Sequence, residues 1–159
     1  MSVIYYYTKK EALPIYLKYG IRLSKNFDKE LNVNGYQKPY LIGYLHPKDD
    51  MAKYTSKDYY CIKLDVLDSH LAVFDGSIPF DDGIIREVIP IEKYHFGHFI
   101  KPRVLIDSSI ISDKISLYNP VQDIPLLYTN SEEFYYQVHI QQKLDELSLE
   151  EIYTRLTNG

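Results

Sequence analysis

The hydrophobic pattern begins with an aromatic run, Ile4-Tyr5-Tyr6-Tyr7-Thr8, which predicts a short strand. Thr8 and Glu11 stand at capping-box spacing, and Ala12, Leu13, Tyr16 and Leu17 follow at helical period. Pro14 predicts a late start or a kink in that helix. Gly20 sits where a helix C-cap wants a residue without Cβ, and Gly20-Ile21-Arg22-Leu23-Ser24 reads as a strand restart.

Lys25 to Lys38 is polar, with Asn34-Gly35 offering a turn. Pro39 to Leu45 is a continuous apolar run that predicts a central strand ending at His46-Pro47. Lys48 to Asp58 is a charged connection with one helical turn around Met51. From Tyr60 to Val66 the alternation is clean: Ile62, Leu64 and Val66 face one way, Lys63 and Asp65 the other. Further strands are predicted at His70–Phe74, Ile84–Ile91, Val104–Ile111, Lys114–Tyr118 and Ile124–Tyr128. Asp75 to Gly83 has loop chemistry, and Tyr94 to Phe99 is an aromatic segment broken by Gly97.

The last thirty residues change character. Asn130 and Glu133 repeat the capping-box spacing, and Phe134, Val138, Gln141 and Leu144 follow at helical period. Ser148 and Glu151 give a third such pair before Ile152 and Leu156. Two amphipathic helices are expected, at 131–147 and 149–157. The fold class is α+β in a single domain spanning residues 1–159. Its sheet is mixed or antiparallel, because the strands are not interleaved with helices. A helix packs near the N-terminus and two close the chain.

Composition narrows the function classes. The 159 residues carry a net charge of −4, with Lys and Arg scattered. That argues against a broad nucleic-acid surface, whose affinity comes from many phosphate contacts. Cys61 is the one cysteine, so no intrachain disulfide or thiolate metal cluster forms, and its apolar run predicts a buried, inert thiol. No leader and no apolar run of about twenty residues is seen, which predicts a cytoplasmic protein without membrane contact. Seventeen Tyr and no Trp suit half-buried strands and recognition surfaces alike.

The opening block, Tyr-Tyr-Tyr-Thr followed by a helix and Gly-Ile-Arg-Leu-Ser, resembles the start of ADP-ribosyltransferase-like domains. The nearest likeness is to DNA-modifying toxins of the DarT type and to the RNA 2′-phosphotransferase group, over the first quarter of the chain. The resemblance implies NAD, a nucleotide or a nucleotide-derived group bound beside the first strand. In the family, attack falls on C1′ of the nicotinamide ribose and nicotinamide leaves. It implies Tyr6 and Thr8 on the cleft floor, Ser24 on its wall, Tyr44 and His46 at the facing strand end, and Arg103 on phosphate. Two positions depart from the family pattern. Tyr6 stands where a His is usual, and Pro102-Arg103-Val104-Leu105-Ile106 carries Arg where a late-strand Glu polarises the ribose. The implied protein is a diverged member, with no catalytic residue assigned.

Other constellations weigh less. His95 and His98 are a lone pair where zinc needs three or four ligands, so no metal is expected. His46, between an apolar run and Pro47, stands where functional groups project from a sheet edge. Asp49-Asp50 and Asp81-Asp82 read as turn chemistry. Glu132 and Glu133 lie at a predicted helix start, where the dipole alone explains acids. Ser108-Ser109 lacks a nucleophile elbow, and no dinucleotide glycine motif is present. The competing expectation is a non-catalytic module with a Tyr-rich face for a protein partner, an inhibitor or accessory factor of a mobile element. The missing His and Glu favour it.

Overall fold

The aromatic run forms a strand as predicted, and β1 extends over Ser2–Lys9. The computed structural model describes residues 1–79, 82–121, 123 and 129–158. β1 continues through Thr8, which pairs with Tyr60, so the Thr8–Glu11 capping box does not form. The first helix, α1 (Leu13–Tyr19), has Ala12 at its N-cap and Pro14 in its first turn, where a missing N–H costs nothing. It stops at Gly20, whose φ of +82° is open to glycine. A Cβ at Gly20 would also collide with the Ile110 carbonyl, which accepts the Ile21 N–H. The expected restart at Gly20–Ser24 is one Ile21–Ile110 bridge followed by a short helix, α2 (Leu23–Asn26).

Asn34-Gly35 closes a hairpin between β2 (Lys29–Val33) and β3 (Tyr36–Gly43). Both turn residues have positive φ, 55° and 86°, as a type I′ turn requires. The polar spacing of Lys29–Val33 hides β2 from a hydrophobic reading; only Leu31 on it is buried. The helical turn near Met51 is α3 (Met51–Tyr54), and β4 covers Tyr59–Val66 with Ile62, Leu64 and Val66 inward. β5 spans Leu71–Asp75. The run expected at Ile84–Ile91 splits into β6 (Ile84–Ile85), parallel to β2, and β7 (Ile89–Pro90), antiparallel to β5. β8 (Pro102–Ile106) ends earlier than expected, because Asp107 leaves the sheet to meet His70 at 2.8 Å. β9 is Ile115–Leu117. The strand expected at Ile124–Tyr128 lies outside the described residues.

The fold is α+β, with two sheets of order β1-β4-β9 and β6-β2-β3-β8-β5-β7. All pairings are antiparallel except β2 with β6, so the second sheet is mixed. The sheets meet where Tyr5 and Tyr44 exchange backbone hydrogen bonds of 2.9 and 2.8 Å. A Cβ on Gly43 would strike the Ile4 side chain and lie 3.0 Å from the Tyr5 carbonyl oxygen. Only glycine lets the strands approach this closely. The principal core gathers Ile4, Tyr6, Leu41, Ile62, Leu64, Val104 and Ile106 between the sheets and α1.

The end of the chain departs from expectation. The two predicted helices are one, α4 (Ser131–Asn158), running through Ser148 without interruption. Its start is capped as the spacing predicts. The Glu133 N–H donates to Asn130 Oδ1 at 2.9 Å, and the Glu133 carboxylate accepts from the Thr129 N–H. Phe134 and Val138 lie against Gly97 in the aromatic loop, beside Phe96. Beyond them, Ile140, Leu144, Leu147, Leu149, Tyr153 and Leu156 are exposed. Among the described residues no helix is long and apolar enough to cross a membrane.

Candidate functional site

The junction of the two sheets gathers polar groups. β3 ends at Gly43, and the next residue, Tyr44, is carried inward by its bridge to Tyr5. The Tyr44 ring takes the edge of Tyr7 at 5.7 Å and the guanidinium of Arg103, from the neighbouring strand β8, at 4.8 Å. Its hydroxyl donates to Asp50 Oδ2 at 2.9 Å. Burial and the adjacent Asp50 carboxylate raise the Tyr44 phenol above its ordinary range.

Asp49 and Asp50 combine turn chemistry with an inward role that the sequence reading missed. Asp50 caps α3 by accepting the Lys53 N–H at 3.1 Å, while its other oxygen holds Tyr44. Asp49 accepts the Ser131 N–H at 2.8 Å, the Ser131 hydroxyl at 2.7 Å and the His46 N–H at 3.2 Å. Asp49 therefore fastens the start of α4 to the end of β3. Burial pushes its carboxyl up, against the hydrogen bonds from Ser131 and the charge of Arg103. His46 is buried, and its Nδ1 accepts the Lys48 N–H at 3.0 Å.

Tyr6 projects from the face of β1 opposite to Tyr5 and Tyr7. Its hydroxyl donates to both oxygens of Asp28 at 3.1 Å, and the Ile42 N–H donates to Asp28 at 2.7 Å. Asp28 as a residue is open to solvent, but its carboxylate is turned inward. Its pKa is raised by that burial, with Ile42, Tyr6 and Lys53 pulling the other way. The Asp28 charge also reaches Tyr44, which links the two groups electrostatically.

Of the residues implicated by sequence, Tyr44, His46 and Arg103 converge on Asp49 and Asp50, whereas Tyr6 bonds Asp28. Thr8 is buried and donates only to the Lys9 carbonyl. Ser24 is exposed on α2. Among the described residues no hydrogen bond or charge contact ties Thr8 or Ser24 to the cluster. Arg103 makes no ion pair within 4 Å among the described residues; it donates to the Pro102 carbonyl at 3.1 Å. Glu132 and Glu133 belong to the first turn of α4. His98 faces Glu87 at 3.9 Å and lies tilted against Phe99, and no group of three or more metal-ligand side chains occurs among the described residues. Asp28, Asp49 and Ser131 carry no motif. The proximity of Asp49-Asp50 to His46 was the one available signal.

No family model, no curated protein and no solved structure matches this chain.

Proposed function

We propose that the protein binds NAD or an NAD-derived nucleotide at the Arg103–Tyr44 cluster, in the manner of an ADP-ribosyltransferase-like domain, without transferring the ADP-ribosyl group. The observation that carries this reading is the state of Arg103. Arg103 is half-buried, its guanidinium lies over the Tyr44 ring, and among the described residues it makes no ion pair within 4 Å. A planar fork so held is ready for bidentate contact with a phosphate. The hydroxyl of Tyr44, oriented by Asp50, suits the polyhydroxylated ribose beside it.

The same cluster is poorly equipped for transfer. Departure of nicotinamide leaves positive charge on the ribose, which a carboxylate stabilises and a guanidinium repels. Asp50 is engaged by Tyr44 and Lys53, and Asp49 by Ser131 and His46. Neither has a free oxygen comparable to the family's Glu. Losing one preorganised charge-stabilising group costs on the order of 10²–10³ in rate. Nicotinamide release from NAD tests this directly. The unmodified protein should release none above background. Robust activity in the unmodified protein, abolished by Glu133→Gln, would overturn the reading and move the chemistry to α4.

A second reading, a non-catalytic protein-interaction module, is favoured by α4. Ile140, Leu144, Leu147, Leu149, Tyr153 and Leu156 along it are exposed.

A further inference from the structure

On the reading of the chain as an interaction module, and independently of the NAD site, we propose that the second half of α4 docks a basic amphipathic helix of another protein. α4 is 28 residues, about 42 Å long, and the body of the protein holds its beginning. Asp49 fastens Ser131, Phe134 and Val138 lie against Gly97, and His139 Nε2 is 3.3 Å from the Gly97 carbonyl oxygen.

Farther along, Leu149, Tyr153 and Leu156 are 67%, 70% and 78% exposed. Steps of four and then three positions bring them to one side of the helix. A single exposed leucine is ordinary on a protein surface, but a row of large apolar side chains is a docking patch. Anchors at this spacing are those with which amphipathic helices engage a partner.

Charge identifies that partner. α4 carries six acids and two bases, an excess equal to the whole net charge of −4. Asp145, Glu146, Glu150 and Glu151 all lie in its second half. Asp145 and Glu146 stand four and three positions before Leu149 and border it on both sides, and Glu150 stands three before Tyr153. Among the described residues Asp145, Glu146 and Glu150 meet no basic group within 4 Å. A second copy of the chain would bring the same acids face to face, and like charges at a contact oppose association. Phosphate surfaces, whether lipid or nucleic acid, are disfavoured on the same ground. A helix with an apolar row bordered by Lys and Arg answers both features. The other exposed row, Ile140, Leu144 and Leu147, lies half a turn away and is bordered by Gln137, Gln141 and Lys143, which specify no partner.

Two labelled designed peptides test the surface on the full chain by fluorescence anisotropy. Both are helical with one leucine row, bordered by lysine in the first and by glutamate in the second. The lysine peptide should bind saturably at micromolar concentration and more weakly as salt is raised, and the glutamate peptide should not bind. Leu149→Gln with Leu156→Gln, both exposed positions, should weaken binding about tenfold or more through the loss of two apolar anchors, with the melting temperature unchanged. Asp145→Lys with Glu146→Lys should lose the lysine peptide and gain the glutamate peptide, and Arg103→Ala should alter neither. A lysine peptide that does not bind, or that binds the doubly glutamine-substituted protein equally well, would overturn the proposal. So would a dimer in sedimentation that the same two glutamine substitutions dissolve. In that case the face joins copies of the chain, and the interaction-module reading stands without the basic partner.

Discussion

Arg103 lies over the face of Tyr44, 4.8 Å from the ring centroid, although the two are 59 positions apart in the chain. The contact arises because β3 and β8 run side by side and Gly43 pairs with Val104, so each strand delivers the adjoining residue to the sheet junction. Tyr44 then holds Arg103 on one side and Asp50 on the other. The cluster is thus a consequence of strand register.

Gly43 sets that register. Alanine there would press on Ile4 and on the Tyr5 carbonyl, and the backbone atom cannot swing aside. Gly43→Ala should lower unfolding stability by about 1–3 kcal/mol, the usual cost of overpacking. Urea denaturation measures it. An unchanged midpoint would mean that the two sheets are not held this closely.

Asp49 joins the end of β3 to α4. Asp49→Ala would leave the Ser131 N–H and hydroxyl, both in a buried residue, without their partners. The expected loss is about 2–6 kcal/mol, since each of the two unsatisfied buried groups costs about 1–3. Asp49→Asn keeps one acceptor and should lose less. Equal stability of the alanine variant and the parent would show that the start of α4 is held by other contacts.

Asp75 steadies the approach to β8 and hence Arg103. Burial pushes its carboxyl up, but hydrogen bonds from the Ser77 hydroxyl and N–H, the Lys101 N–H and the Ile100 N–H outweigh this and hold it below the usual range. Its folded pKa is below the unfolded value of about 3.9. Its contribution is therefore present above that value and lost as the pH falls through the folded pKa. Asp75→Asn should remove this component, flattening the loss of stability between about pH 5 and pH 2. Parallel acid limbs for the two proteins, by thermal melts across that range, would contradict it. Asp28 and Asp49 have the opposite sign. Their raised pKa values mean that the cost of burying their charge is relieved on acidification.

Much of the fold was legible because alternation survives wherever one face of a strand is buried. β4 shows this at Ile62, Leu64 and Val66, and the Asn34-Gly35 turn declares its hairpin through positive φ. β2 was not legible. It buries little besides Leu31, and its pairing with β3 is backbone chemistry that hydrophobicity does not record. Thr8 is held by strand pairing near the end of β1 and Ser148–Glu151 lies inside a continuous helix, so tertiary pairing and helix propagation prevail over cap spacing. Of the site, Tyr44 and His46 were visible as the end of an apolar run, and Arg103 through a family likeness. Asp28, Asp49 and Ser131 were not, because an acid in a loop reads the same whether it faces water or a neighbouring hydroxyl.

The central claim is that Arg103 receives the phosphate of an NAD-derived ligand, and thermal unfolding with and without ligand tests it most directly. NAD or ADP-ribose at a hundred times its dissociation constant should stabilise the unmodified protein by about 2.7 kcal/mol. In Arg103→Ala that stabilisation should fall to a small fraction at the same concentration. No shift with either ligand, or a shift that Arg103→Ala leaves unchanged, would contradict the account.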